Sequence, residues 1–270
     1  NFPVEVKFTE YSGHEEILIK EAIGIGYIKF ISVGGDGTLH HVVNGIMKFG
    51  SEFLSEIKVG IIPVGTGNDF VKQYSIPKNI DKAISIINKE KTINQDIGRI
   101  KLDNKVIYFD NLTGLGFDGF VVKTLPRFKK FGILSYFLSA IIGLHKFKPE
   151  EIIITTQDRE IKEKVFLLAI GIGKFCGGGM RLTHKPNPTD GLLDLTLIKQ
   201  ISPFSFLLNI LKMYNGKIAN HEKVETYKTE KIFVKLPKNS DLFIQSDGEL
   251  VESNNFQIEI VPAAISFVVA

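Results

Sequence analysis

The sequence predicts a two-part protein of class α/β plus all-β: an N-terminal α/β unit built on a parallel sheet, then a β-rich unit of sandwich or partial-barrel type. Three observations predict it. In the first hundred or so residues, apolar strand-like runs alternate with helix-like segments, as right-handed crossovers in a parallel sheet require. Beyond about Ile93 the chain turns to short runs rich in β-branched and aromatic residues, separated by polar or Gly-rich turns. Two Gly-rich turns that each carry an acid follow successive strands of the first part. In a parallel sheet such turns open on the same edge, beyond the C-terminal strand ends, where ligands sit.

Taken in order, Val4 to Thr9 reads as a strand, Gly13 to Ile23 as a helix, Tyr27 to Val33 as a buried strand and Thr38 to Phe49 as a helix. Val59 to Val64 is then a strand, Asn68 to Tyr74 a short helix, and Asn79 to Lys89 another after the break at Pro77. The β-rich part offers strands at Lys105 to Leu112, Glu151 to Thr156, Lys164 to Ile170, Leu192 to Lys199, Lys231 to Lys235, Asp241 to Ser246 and Phe256 to Val261. Helices interrupt it near Ile133 to Leu144 and Pro203 to Tyr214. The change of texture places a domain boundary near residue 95, giving an α/β domain over 1–95 and a β-rich domain over 96–262. The last strand, Ala264 to Val269, can return to either, so 263–270 is a candidate extra piece of the first domain.

A chain of 270 residues with 44% hydrophobic composition can bury a large core. Its 33 basic and 30 acidic residues are too balanced for an obligate nucleic-acid binder, and a net charge of +3 suits anionic nucleotides or a membrane surface. Cys176 is the single cysteine, which excludes an intrachain disulfide and a cysteine-rich metal site and fits a reducing, cytoplasmic interior. No signal peptide is visible, and the chain opens directly in strand-like sequence, consistent with residues preceding Asn1. The longest apolar helical run, Gly132 to Leu144, is shorter than the roughly 20 residues that span a bilayer. Nothing in the sequence opposes a homodimer.

Gly34, Gly35, Asp36, Gly37 and Thr38 follow the strand at Tyr27, and Gly65, Thr66, Gly67, Asn68 and Asp69 follow the next one. Glycines let the backbone approach a ligand, and N–H groups at a helix start favour phosphate. Two such turns converging on one crevice suit a nucleotide polyphosphate. The bland alternative is that the glycines only permit tight turns, with Asp36 and Asn68 as helix caps. No Gly-Lys-Ser/Thr follows either turn, so neither is a Walker A loop, and Gly24-Ile25-Gly26 lacks the third glycine of a dinucleotide fingerprint. Asp247-Gly248-Glu249 follows a strand where a turn would expose both carboxylates, although Asp-Gly is also a plain hairpin signal. Asn187-Pro188-Thr189-Asp190-Gly191-Leu192 reads, on its residues alone, as a turn. The six histidines form no metal-ligand spacing.

The ordered set of these motifs resembles the bacterial soluble diacylglycerol kinase and lipid kinase family, itself similar to diacylglycerol, ceramide and sphingosine kinases and more remotely to NAD kinases. The resemblance rests on Gly34 to Thr38 with Val42-Val43-Asn44-Gly45, on Ile62 to Phe70, and on Asp96-Ile97-Gly98-Arg99 and Gly114-Leu115-Gly116-Phe117-Asp118. It continues through Gly177-Gly178-Gly179-Met180, Asp190-Gly191-Leu192-Leu193-Asp194 and Asp247-Gly248-Glu249-Leu250. It implies an NAD kinase-like α/β domain, a C-terminal β-sandwich, and an ATP-dependent transfer of the γ-phosphoryl group to the hydroxyl of diacylglycerol or a similar lipid, in a cleft between the two.

Mg²⁺ would bridge the phosphate oxygens, and both Gly-rich loops would hold ATP. Asp36 would serve the nucleotide and, by similarity to sphingosine kinases, catalysis. The general base would be Glu249, with Asp247 close behind, since the motif cannot separate them. A structural Mg²⁺ would be held by Asp190 and the backbone carbonyls of Asn187 and Leu192. The lipid would be met at the inner face of the membrane by peripheral contact, and the helix at Gly132 to Leu144, with Phe131, Tyr136, Phe137 and Leu138, would either line an acyl-chain pocket or be plain core. His41 stands where most relatives carry Glu, and His40 where many carry Asn. The rival expectations are an NAD kinase-like small-molecule kinase and a nucleotide-binding regulator without catalysis.

Overall fold

The computed structural model describes residues 4–49, 54–124, 141–251, 253 and 255–270. The chain forms two compact units, one of residues 1–95 with 264–270 and one of residues 96–263. The class is α/β plus all-β: an α/β first unit on a parallel sheet and a β-sandwich-like second unit.

In the first unit α1 (His14–Gly24) leads to β1 (Lys29–Gly34), α2 (Asp36–Phe49) and β2 (Lys58–Pro63). The short α3 (Asp69–Gln73) and α4 (Ile80–Lys89) follow. β1 and β2 run parallel in register from Lys29↔Lys58 to Gly34↔Pro63, so the two Gly-rich turns emerge side by side. α2 buries Leu39, Val42, Val43, Ile46 and Met47, the i, i+3, i+4, i+7 stripe of a surface helix. Asn79 caps α4 by accepting from the Lys82 N–H at 3.0 Å. The C-terminal end of β13 (Asn255–Val268) adds to this sheet in parallel, with Ser266 beside Lys58 and Phe267 beside Val59.

Two expectations fail here. Residues 4–9 form no strand and stay exposed, with Phe8 84% accessible. Their apolar alternation is that of a half-buried strand, but among the described residues no sheet partner covers it. β1 is likewise no buried strand: Ser32 is its one buried residue, while Ile31 and Val33 are exposed. Among the described residues β1 pairs with β2 alone, and apolar content by itself does not say how many neighbours a strand has.

The second unit is antiparallel. β6 (Glu150–Thr155) pairs with the first half of β7 (Glu160–Gly171), whose second half pairs with both β5 (Leu112–Gly116) and β8 (Leu193–Lys199). A register shift between Val165 and Leu167 marks where β7 changes partners. β8 continues to β9 (Val224–Thr229), β10 (Lys231–Lys235) joins β6 to the first half of β13, and β3 (Thr92–Lys101) pairs with β4 (Val106–Phe109). β11 (Ile244–Ser246) and β12 (Glu249–Val251) form a hairpin beside β5. Phe109, Leu168, Ile152, Ile154, Ile232 and Phe256 lie in the core these strands enclose.

A second apolar cluster joins α5 (Phe117–Thr124), a helix not expected from the sequence, to α6 (Pro203–Tyr214) through Phe117, Phe166 and Phe206. Of the helix expected near Gly132 to Leu144, residues through 140 lie outside the described residues, with Phe131, Tyr136, Phe137 and Leu138 among them, whereas residues 141–146 are helical. Among the described residues no helix is long and apolar enough to cross a membrane.

Candidate active site

The two Gly-rich loops are stitched together by backbone and by one carboxylate. The Asp36 N–H donates to the Gly67 carbonyl at 3.2 Å, and the Val64 and Gly65 N–H groups donate to the Gly34 carbonyl. The approach is so close that a Cβ on Gly65 would lie 2.4 Å from the Gly35 Cα, which is why these positions tolerate no side chain. Both Asp36 oxygens accept from the Asp69 N–H at 2.9 Å, and Oδ1 also accepts from Phe70 N–H at 3.2 Å.

Asp36 therefore caps α3 from the neighbouring loop. Asn68, the local candidate for that cap, makes no side-chain cap bond and instead donates to the Gly65 carbonyl. Asp69 is buried and pairs with Lys72 at 2.7 Å. Residues 34–38 are half-buried, while Thr66 and Gly67 are exposed at the rim. His41 lies against the start of α1, 3.6 Å from Glu16, and His40 is buried beside Asn44.

In the second unit the β11–β12 turn is shaped by left-handed backbone at Asp247 (φ 47°) and Gly248 (φ 92°). Asp247 is held inward: Oδ1 accepts from the Leu112 N–H at 2.9 Å and Oδ2 from the Asp110 N–H at 3.1 Å. Its own N–H donates to the Leu112 carbonyl at 2.9 Å. Glu249 opens β12 and is exposed. Gln245 braces the turn, accepting from the Gly248 N–H at 2.8 Å and donating to Asp118 of α5 at 2.6 Å. The two acids of this turn thus do different things: Asp247 satisfies buried backbone donors, and Glu249 faces outward.

Residues 1–100 match the diacylglycerol kinase catalytic domain, and residues 112–269 match the YegS C-terminal NAD kinase beta sandwich-like domain. The chain belongs to the YegS-like lipid kinase family. It is 26% identical to "Lipid kinase YegS" of Escherichia coli K12 over 97% of this chain and 85% of that one. It is 28% identical to "Probable lipid kinase YegS-like" of Yersinia enterocolitica over 97% and 86%. A diacylglycerol kinase crystal structure from Bacillus anthracis has the same fold, with a TM-score of 0.71, 21% identity, and coverage of 97% of this chain and 83% of that chain.

The loop from Asn187 to Leu192 is where the sequence resemblance implied a structural cation. Here Asp190 Oδ2 accepts from Lys228 Nζ at 2.8 Å and Oδ1 from the Leu192 N–H at 3.2 Å. The Asn187 side-chain carbonyl accepts from the Thr189 N–H and hydroxyl. Lys228 also lies 3.4 Å from Asp194, whose carboxyl burial pushes up to about 6 despite that ammonium. Among the described residues no cluster of three or more Asp, Glu, His or Cys side chains is placed to ligate a metal, so a cation in this loop would draw on backbone oxygens as well as on Asp190. A divalent ion held by Asp190 and the backbone carbonyls of Asn187 and Leu192 would share the Asp190 carboxylate with Lys228.

Sequence reasoning singled out no role for Lys228, Gln245, Asp118 or Asp96. Asp96 is buried and ties this loop down: its N–H donates to the Pro188 carbonyl at 2.8 Å, Oδ2 accepts from the Gly191 N–H at 2.7 Å, and Oδ1 from the Ala263 N–H at 2.7 Å. The signal was present in Asp118, an acid inside an otherwise apolar segment, which implies a buried partner, whereas Asp96 stands among Asn94, Gln95 and Arg99 and gave no such signal. Lys228 gave none, because a lysine in a polar strand reads as surface.

Proposed function

We propose that the chain transfers the γ-phosphoryl group of Mg-ATP to the hydroxyl of diacylglycerol or a similar lipid. The observation that carries this reading is the division of labour in the β11–β12 turn, where Glu249 is exposed while both oxygens of Asp247 serve backbone amides. Glu249 takes the proton from the lipid hydroxyl as its oxygen bonds to the γ-phosphorus, and the bond to the β–γ bridging oxygen breaks with its electrons leaving on ADP. Asp247 positions the turn. The Gly34–Thr38 and Gly65–Asp69 loops hold the nucleotide, with Asp36 fixing the geometry of the second loop. Mg²⁺ bound to ATP would neutralise phosphate charge.

The test is labelled ATP with a panel of single-hydroxyl lipids in mixed micelles. Transfer to at least one lipid, lost on the order of a hundredfold or more in Glu249→Gln with an unchanged melting curve, is expected. Tight ATP binding with no transfer to any lipid overturns the reading.

A further inference from the structure

Helix α6 is apolar on both faces. Phe206 and Met213 face the core, and Phe206 packs on Phe117 of α5 at 5.1 Å between ring centroids. Phe204, Leu207, Leu208 and Leu211 recur at i, i+3, i+4 and i+7 on the other side and are 70%, 46%, 66% and 73% exposed. Tyr214 extends this ridge at 47%. A water-facing helix carries polar residues there, so this ridge has a partner of apolar character.

The surroundings say which partner. Beside the start of α6, Ser202 and Pro203 border an open cleft of about 870 Å³ lined by His145, Lys164, Lys199 and Lys223, with Glu163 as its one acid. Lys199 is engaged by Glu163 and Glu225. Across residues 141–149 and 199–223 there are six lysines (146, 148, 199, 212, 217 and 223) and a single acid, Glu222, although the whole chain carries a net charge of only +3. An apolar ridge framed by lysines matches the acyl boundary and phosphate layer of an anionic bilayer. A second copy of the same face would meet it with like charge.

We infer that the exposed face of α6, with the basic cleft at its start, is the surface by which this protein docks on an anionic phospholipid bilayer. The inference deepens the lipid kinase reading and rests on it for its biological sense. It also gives α6 a place in that reading. α5 links it to the proposed base: Phe117 contacts α6, and Asp118, one residue on, holds Gln245, which holds Gly248 beside Glu249.

The chain has no tryptophan, so Leu208→Trp makes a single reporter. With vesicles of equal phosphatidylglycerol and phosphatidylcholine its emission should shift to the blue and be quenched by brominated acyl chains, whereas Phe233→Trp on β10 should not respond. Phosphatidylcholine vesicles alone, or high salt, should weaken binding at least tenfold. The double variant Leu208→Glu/Leu211→Glu should lose cosedimentation with anionic vesicles by tenfold or more while keeping its melting curve, because both positions are exposed. Vesicle binding without phosphorylation of any lipid supports the docking surface and counts against the kinase reading. Unchanged vesicle binding by the double variant overturns the inference. So do equal binding to neutral and anionic vesicles, a blue shift without vesicles accompanied by doubled mass in sedimentation, and no response to either vesicle.

Discussion

Asp247 and Glu249 stand two residues apart and answer to different forces. Removing the Asp247 carboxylate leaves the Asp110 and Leu112 amides without acceptors, each costing about 1–3 kcal/mol when buried. Asp247→Ala should therefore lower stability in urea melts by about 2–6 kcal/mol and reduce activity along with it. Glu249→Gln should leave stability within about 0.5 kcal/mol, as exposed substitutions do, while abolishing turnover. Equal loss of stability in both would refute the assignment of separate roles. The pair could not be separated from the motif alone because the partners of Asp247 lie more than 130 positions away in sequence.

At the scale of elements, α3 depends on an acid that it does not contain. Asp36→Ala strips the cap from its first turn and should cost about 1–2 kcal/mol, with ATP affinity falling as the second loop loosens. Calorimetry on the variant tests both, and an unchanged melting temperature would refute the capping role. The loop joining residue 187 to β8 predicts a pH dependence. Burial lifts Asp194 to about 6, above its unfolded value near ~4, so the folded chain keeps a proton that the unfolded chain has released. Stability should then decline as pH rises from about 4 to 6 and level off above. Asp194→Asn should remove that decline in melts run across the window, and an identical slope in the variant would show that other groups cause it.

For the whole molecule, the C-terminal strand completes the first unit. Phe267 is fully buried, sits beside Val59 of β2 and packs on Phe70 at 4.7 Å between centroids. Phe267→Ala should cost about 3–5 kcal/mol and expose residues of 1–95 to limited proteolysis before those of 96–263. Cleavage beginning in the second unit would contradict this. From sequence the segment 264–269 read as a separate strand free to join either part, because apolar composition does not specify which edge a strand meets. In the structure it is continuous with residues 255–263 as β13.

The sequence by itself determined what is local: the α/β alternation, the Gly-rich turns with their acids, the helix at Pro203 to Tyr214 and the ordered motifs of a lipid kinase. Periodicity, turn chemistry and glycine spacing act over a few residues and are legible there. Tertiary structure alone decided that residues 4–9 meet no sheet partner among the described residues, that Asp36 caps a helix 33 residues on, and that Lys228 meets Asp190 across 38 residues. It also decided which face of α6 stays exposed. These are pairings between distant segments, and the free energy of such a contact depends on what the fold brings opposite a residue, which no window of neighbouring residues contains.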